Sequence, residues 1–309
     1  MNDADARAPA GFDGRYRPPS TRSAVATAAR TRTLRLVTRA IPFQRLRRLS
    51  STPGLRALLK PVSTGEMQIP GGMAGGLRLS AAHFSPGSAQ AYHVLRGSHE
   101  PQVQEAIRRT LAPGGVFYDV GANIGLHSLV AALVTGADGA VVSIDPQREC
   151  VEAIRTNAAI NRFEQIEVVH AAAGAHDGTV ELIVTEDSLW SRTSAVGGHE
   201  LEVRRDTVSS IALDTLALDG RLPPPSVVKI DVEGAEIDVL AGMTRLLAQV
   251  QPVVICEMHG RNAEFCEIMA KAGYRVVNLD SPEPVDEAPG NVHALAEPPA
   301  WRRGWPDIA

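Results

Sequence analysis

The sequence predicts a doubly wound α/β protein built on a mostly parallel β-sheet. Three observations lead there. Val116–Val120 is an apolar strand, broken by one acid, that runs into the glycine turn Gly121-Ala122-Asn123-Ile124-Gly125 and then into a helical stretch. From Val116 to Leu279, strand-like and helix-like segments alternate. The strand segments are near-continuous apolar runs, as expected where helices cover both faces of a parallel sheet.

Taken in order, residues 1–24 are rich in Ala, Pro, Gly, Arg and Asp and too poor in large apolar groups to form a core, which predicts a disordered tail. Residues 25–60 place Leu34, Val37, Ile41, Leu46 and Leu49 at helical intervals among arginines, with Pro42 and Pro53 as breaks. This basic amphipathic segment suits either peripheral contact with an anionic membrane or packing against the acidic remainder of the chain. Residues 61–97, with two Gly-Gly pairs and the alternating Leu77-Arg78-Leu79, read as a small hairpin or lid.

A main domain over residues 98–298 opens with a helix from Glu100 to Leu111. Its strands are expected at Val116–Val120, Ala140–Ile144, Ile166–Ala171, Val227–Val232, Val253–Met258 and Arg275–Leu279, with a last one at Asn291–Ala296. Helices are expected at Leu126–Val134, Gln147–Asn161, Ala235–Val250 and Asn262–Ala272, and a short one at Ile211–Asp219. Thr179–Val184 and Glu200–Arg204 form a strand pair flanking a polar loop. Residues 299–309 form a C-terminal tail.

Composition narrows the function classes. The chain has 309 residues, 44% of them hydrophobic and 21% charged, ordinary values for a globular protein. It has neither a long apolar run nor an apolar N-terminal region, so neither a transmembrane helix nor a secretory signal is expected. Three cysteines without metal-type spacing fit reduced thiols and a cytoplasmic setting, membrane-peripheral where the basic segment meets a membrane. The net charge of −4 hides an asymmetry, because residues 1–60 hold 13 Lys+Arg against 3 Asp. No nucleic-acid partner is expected, and the sequence carries no signal of oligomeric state.

The glycine turn decides the ligand class. Dinucleotide sites use G-x-G-x-x-G, and here Gly121 and Gly125 are spaced by four with no third glycine. That argues against NAD and for a ligand without phosphate. Asp119, two residues before Gly121, would repel phosphate and favour a cation such as S-adenosylmethionine. Ile144-Asp145-Pro146 ends the next strand, where an acid accepts hydrogen bonds from ribose hydroxyls or caps the following helix. Backbone and small groups near Ala172 suit an adenine ring.

At these residues the chain resembles the FkbM-type S-adenosylmethionine-dependent methyltransferases. Phe117–Gly125, Ile144-Asp145-Pro146 and Val228–Glu236 carry the resemblance, supported by Gly97–Glu100, Leu213–Leu216 and Pro252–His259. It implies a class I methyltransferase-like fold and methyl transfer to a hydroxyl of a sugar, glycolipid or polyketide-type acceptor. Asp119, Gly121, Ala122, Asn123, Gly125, Asp145, Ala172 and Asp231 are then the expected cofactor-binding residues. The chain departs from the family in having Asp145 for the commoner Glu, and Leu126-His127-Ser128 after the turn.

The chemistry calls for positioning and for removal of a proton from the acceptor. Strand alternation places Asp231 with Glu233, and Glu257 with His259, each pair on one face. Asp231 is the first choice for orienting or deprotonating the acceptor and His259 the alternative base. Glu233 and Glu257 are expected to bind sugar hydroxyls or a divalent cation, although Glu233 equally suits a helix N-terminus, and no metal ligand is assigned. Lys229, inside an apolar strand, requires a partner such as Asp119 or Asp145. The rival readings are an NAD-dependent oxidoreductase and a non-catalytic S-adenosylmethionine-binding accessory protein.

Overall fold

The computed structural model describes residues 65–80, 82, 93–94, 96–185, 191–193 and 202–301. The expectations for residues 1–24, for residues 25–60 and for the chain after Trp301 lie outside these.

A hairpin of β1 (Glu66–Gln68) and β2 (Arg78–Ser80) comes first, followed by α1 (Pro101–Thr110). Then come β3 (Val116–Val120), α2 (Leu126–Thr135), β4 (Ala140–Asp145), α3 (Arg148–Asn161) and β5 (Ile166–His170). A second group comprises β6 (Ala172–Ala173), β7 (Gly178–Thr185), β8 (Ser191–Thr193), β9 (Glu202–Ile211) and α4 (Leu213–Leu218). The chain then returns to the main sheet through β10 (Val227–Ile230), α5 (Glu236–Ala241), α6 (Thr244–Gln249) and β11 (Val253–Met258). It continues with α7 (Asn262–Lys271), β12 (Arg275–Asn278) and β13 (Val292–Glu297).

The main sheet has seven strands in the order β12-β13-β11-β10-β3-β4-β5, and β13 pairs antiparallel with both neighbours. The sheet is otherwise parallel, the doubly wound class that the apolar strands predict. Chain order reverses between β3 and β10, and this is where the carboxyl ends of two central strands diverge and leave a crevice. One core layer, including Phe117, Ile124, Leu129 and Ile255, lies on one face of the sheet, and another, including Tyr118, Val228, Leu240 and Phe265, on the other.

The hairpin is tied to the sheet by helix α3. Asn157 and Asn161 stand one turn apart on one face of it. Asn157 accepts the Ser80 N–H at 2.8 Å and donates to the Ile124 carbonyl at 2.8 Å. Asn161 accepts the Arg78 N–H at 2.9 Å and donates to the Arg78 carbonyl at 2.6 Å. Two helix side chains thus satisfy the free edge of β2, which has no further strand beside it.

Three expectations are corrected. Val227–Val232 ends as a strand at Ile230, and residues beyond it turn, with Glu233 at a positive φ of 53°. The shared-face argument for Asp231 and Glu233 therefore does not hold. The single helix expected over Ala235–Val250 is two short ones, α5 and α6, separated at Gly242 and Met243. The cause is tertiary. A Cβ at Gly242 would stand 2.0 Å from the Gly174 carbonyl oxygen, so two backbones meet there. Asp214 of α4 then caps the new helix start, accepting the N–H groups of Arg245 at 2.9 Å and Leu246 at 2.8 Å. The β insertion is also larger than a strand pair, since β6, β9, β7 and β8 form a four-stranded sheet. Among the described residues, no helix is long and apolar enough to cross a membrane.

Gly242 has an ordinary negative φ of −85°, so the objection to a side chain there is steric alone. Gly242→Ala is expected to destabilise the protein by about 1–3 kcal/mol, as an overpacked contact does. Urea unfolding measures it, and an unchanged midpoint would refute the close backbone contact.

Candidate active site

The crevice is built by backbone proximity. Gly121 ends β3 at φ +76°, and a Cβ on it would lie 1.7 Å from the Asp231 carbonyl oxygen. Only a glycine lets the turn after β3 pass the end of β10 so closely. The resulting cleft encloses about 620 Å³, counting the space open at its mouth. Gly121, Asn123, Asp145, Gln147, Ala172, Asp231 and Glu233 are among its walls, and among the described residues no lysine or arginine is.

Asp145 holds the cleft floor together. Its Oδ2 accepts the Asn123 N–H at 2.8 Å and its Oδ1 accepts the Gln147 N–H at 2.9 Å. It is buried, and burial pushes its carboxyl up to about 7, against the pull of those two N–H groups. The N–H that Asp145 accepts at this end belongs to Gln147, the residue before α3, which takes no side-chain cap, and the same carboxylate lines the cleft. Asn123 adopts φ 54°, a left-handed conformation that asparagine tolerates better than most residues.

Beneath the cleft lies a buried ion cluster. Lys229 Nζ donates to Asp231 Oδ2 at 3.0 Å and stands 3.7 Å from Asp119 Oδ1. Burial works to lower the lysine pKa, but Asp231, Asp119 and Glu100 outweigh it and keep the ammonium charged. Asp119 also accepts the Ser128 hydroxyl at 2.6 Å, and Ser143 donates to Ser128 at 2.8 Å. Burial raises the Asp119 carboxyl, opposed by Lys229 and Ser128.

The structure gathers the expected residues unevenly. Gly121, Asn123, Asp145, Ala172 and Asp231 line the cleft, whereas Asp119, Ala122 and Gly125 are not among its walls. Asp119 is fully buried in the strand and reaches the site only through Lys229 and Ser128. Glu233 lines the cleft, three residues before α5, which takes no side-chain cap. It is Glu236 that bonds the Gly234 N–H, at 2.8 Å.

His259 stands between acids. Its Nδ1 lies 2.9 Å from the buried Glu236 Oε1, and its Nε2 lies 3.4 Å from Glu233 Oε2 and 3.6 Å from Glu257 Oε1. Burial opposes charge on this ring, but Glu236, Glu233 and Asp231 raise it to about 9. Glu233 is pushed up to about 7, first by burial and then by Asp231, Glu257 and Glu236, with His259 pulling the other way.

Sequence reasoning missed four participants. Glu236 was quoted only as part of a motif. Glu100 precedes α1 at φ 42°, with its Oε1 3.1 Å from His99 Nε2 and its Oε2 3.5 Å from His127 Nε2. Burial and then Asp231 and Glu257 push the Glu100 carboxyl up to about 7, against Lys229. His293, on β13, faces Glu257 from the neighbouring strand, and Asp280 holds its other nitrogen. Burial opposes its charge, but Asp280 and Glu257 raise it to about 10. The only sequence signal for Glu100 was its place in the Gly97–Glu100 run. His127, which follows the glycine turn, is buried.

The fit to S-adenosylmethionine rests on this geometry. The cleft walls carry acids with raised pKa values and no basic side chain, which suits a cationic ligand and not a phosphate. Gln147 Oε1 is buried at the cleft without a hydrogen-bond partner among the described residues, and so offers an acceptor to a ligand N–H or O–H.

Hexuronic acid methyltransferase AglP of Haloferax volcanii is 28% identical over 181 residues, 58% of this chain and 71% of that protein. The crystal structure of Methyltransferase FkbM from Methylobacillus flagellatus KT aligns with a TM-score of 0.42 at 16% identity. That alignment covers 66% of this chain and 52% of the other, so the chain spans about half of that protein's length. Precorrin-6y C5,15-methyltransferase from Geobacter metallireducens GS-15 aligns with a TM-score of 0.40 at 17% identity, over 64% and 88% of the two chains. The family model of the methyltransferase FkbM domain matches residues 119–276, from the acid of β3 through the start of β12 and just over half of the chain. With its glycine turn, its strand-end acids and the Lys229–Glu236 run all inside that match, the chain belongs to the FkbM family of methyltransferases.

Proposed function

We propose that this enzyme transfers a methyl group from S-adenosylmethionine to a hydroxyl oxygen of a sugar-type acceptor. The observation that carries the reading is the acid-lined cleft at the β3–β10 reversal, with Glu233 and its charged neighbour His259 at its side. The relative named for a hexuronic acid supports the sugar class. Glu233 in the cleft wall and Glu257, which meets the same His259 nitrogen, are suitable acceptors for sugar hydroxyls.

S-adenosylmethionine supplies a methyl group already activated by attachment to a positively charged sulfur. Asp145 accepts the ribose hydroxyls, Gln147 Oε1 accepts a donor from the same ligand, and the bare backbone at Gly121 permits close approach. Asp231, fixed by Lys229, directs its remaining lone pairs to the cleft. The expected base changes on these grounds. His259 stays protonated to about 9, so at neutral pH it is a cation and not an acceptor of protons. Glu233, at about 7, is matched to neutral pH and takes the proton that the acceptor hydroxyl gives up. His259 stabilises the Glu233 carboxylate between turnovers. The oxidoreductase alternative lacks support, because the cleft walls include neither tyrosine nor lysine to relay a proton.

Asp145→Ala is expected to weaken S-adenosylmethionine binding by about 10- to 100-fold, the worth of hydrogen bonds to a charged group. Calorimetry measures this. Heat with NAD and none with S-adenosylmethionine would refute the reading.

Glu233→Gln is expected to lower the single-turnover rate by about 10²- to 10⁴-fold. The wild-type rate should rise with pH through about 7, the Glu233 value, and that limb should vanish in the variant. Retention of the limb would assign the base elsewhere.

Stability should also depend on pH. His259 and His293 have folded values of about 9 and about 10 against an ordinary 6.5. The folded chain keeps these protons where the unfolded chain releases them, so their stabilisation is complete below 6.5 and is lost as pH rises through 9 and 10. Glu100, Asp145 and Glu233 retain protons up to about 7, which also makes stability fall with rising pH until then. His99 and His127, both lowered by burial and Lys229, act oppositely, but only below 6.5. Scanning calorimetry should therefore show Tm falling between pH 7 and pH 10, and a flat profile would contradict the assignment.

A further inference from the structure

Glu257 and His293 are direct partners across the antiparallel β11–β13 pair, so their side chains leave one face of the sheet side by side. Glu257 Oε2 and His293 Nε2 stand 3.6 Å apart, too far for a hydrogen bond. Glu100 reaches the same point from the start of α1. Ligand atoms of Glu100, Glu257 and His293 all lie within 4.8 Å of one another.

The opposite side of the imidazole is fixed. Asp280 Oδ2 lies 3.0 Å from His293 Nδ1 and accepts the His293 backbone N–H at 2.7 Å, while Gln102 donates to Asp280 Oδ1 at 2.7 Å. A carboxylate on Nδ1 that leaves Nε2 facing other acids is how proteins orient a metal-binding histidine. His293 Nε2 and Glu100 Oε2 are both buried without a hydrogen-bond partner among the described residues.

An independent observation comes from α2. The His127 side chain is only 6% exposed, and its Nε2, also without a hydrogen-bond partner, points at Glu100 Oε2 from 3.5 Å. Three buried polar atoms, His127 Nε2, Glu100 Oε2 and His293 Nε2, thus converge with contacts of 3.5 Å to Glu100 and 3.6 Å to Glu257 and no hydrogen bond among the described residues. Such an arrangement is costly unless something else binds there.

We propose that Glu100, Glu257 and His293 form a binding site for one divalent first-row transition-metal ion, with His127 as a further nitrogen donor beside Glu100. Two carboxylates and imidazole nitrogen form a borderline donor set that favours Mn²⁺, Fe²⁺, Co²⁺ or Zn²⁺ over Mg²⁺ or Ca²⁺, which prefer oxygen alone. Lys229 is a nearby positive charge, but Asp119 and Asp231 are already paired with it. Glu257 links this site to the cleft side, since its other oxygen faces His259. A bound ion would hold acceptor hydroxyls there. That role rests on the reading above, whereas ion binding does not.

The test uses the full chain, freed of metal with a chelator and titrated with Mn²⁺ under electron paramagnetic resonance. One ion per chain is expected. Glu100→Gln and His293→Ala should abolish binding, His259→Ala should leave it intact, and Asp280→Asn should weaken it about tenfold or more. Circular dichroism checks the fold of each variant. If His293→Ala does not fold, pulsed resonance on the wild-type complex decides, because a bound imidazole gives a nitrogen coupling. No Mn²⁺ binding, no nitrogen coupling, equal competition by Mg²⁺, or loss on His259→Ala with retention in Glu100→Gln would each overturn the site. None of these readouts requires methyl transfer, so failure here is separate from failure of the proposed activity.

Discussion

The structure depends on a lysine ammonium held inside its central sheet. Lys229 lies on β10, in register with Asp119 on β3, and both are shielded from water. An unpaired ammonium at that depth would be untenable, and Asp119 and Asp231 together compensate it. The pairing therefore imposes a fixed alignment on the two strands whose ends diverge to make the cleft. It also delivers Asp231 to the cleft with one oxygen already committed. The site is positioned from below by charge and from above by the absence of a side chain at Gly121.

Around this centre the electrostatics are lopsided toward negative charge. Asp119, Asp231, Glu100, Glu233, Glu236 and Glu257 crowd near one lysine and two histidines that carry protons only because acids surround them. The raised values of Glu100, Asp145 and Glu233 are the mark of carboxyls that lack enough positive charge nearby. A cationic ligand relieves that imbalance on binding, and so gains affinity from strain already stored in the folded chain. A phosphate ligand would deepen it.

Much of the sheet was legible because its cause is local. Val116–Val120 and Val253–Met258 are found where the apolar runs place them, and the turn at Gly121–Gly125 announces itself by its glycines. The break at Gly242 was not legible, since its cause is the Gly174 backbone of a distant loop. The same is true of Asp214, whose capping partners lie on α6, far along the chain. At the site, Asp145 and Glu233 stand in recognisable motifs, but His293, Asp280 and Glu100 belong to separate segments that only the register of β11 with β13 and the docking of α1 bring together. Asp119 is partly legible for a related reason. Its position before the glycine turn is visible in sequence, but the side chain's direction, down toward Lys229, is a property of the packed sheet.

The antiparallel strand has a consequence for how the molecule is made. Within the main sheet β12 hydrogen-bonds to β13 and to no other strand, yet it precedes β13 in the chain. β12 cannot join the sheet until β13 has been synthesised and inserted beside β11. His293 travels on that same strand, directly opposite Glu257. On an emerging nascent chain, the cleft between β3 and β10 can be shaped while its acidic flank is still missing a wall. Completion of that flank waits on a long-range pairing, the slow class of event in folding.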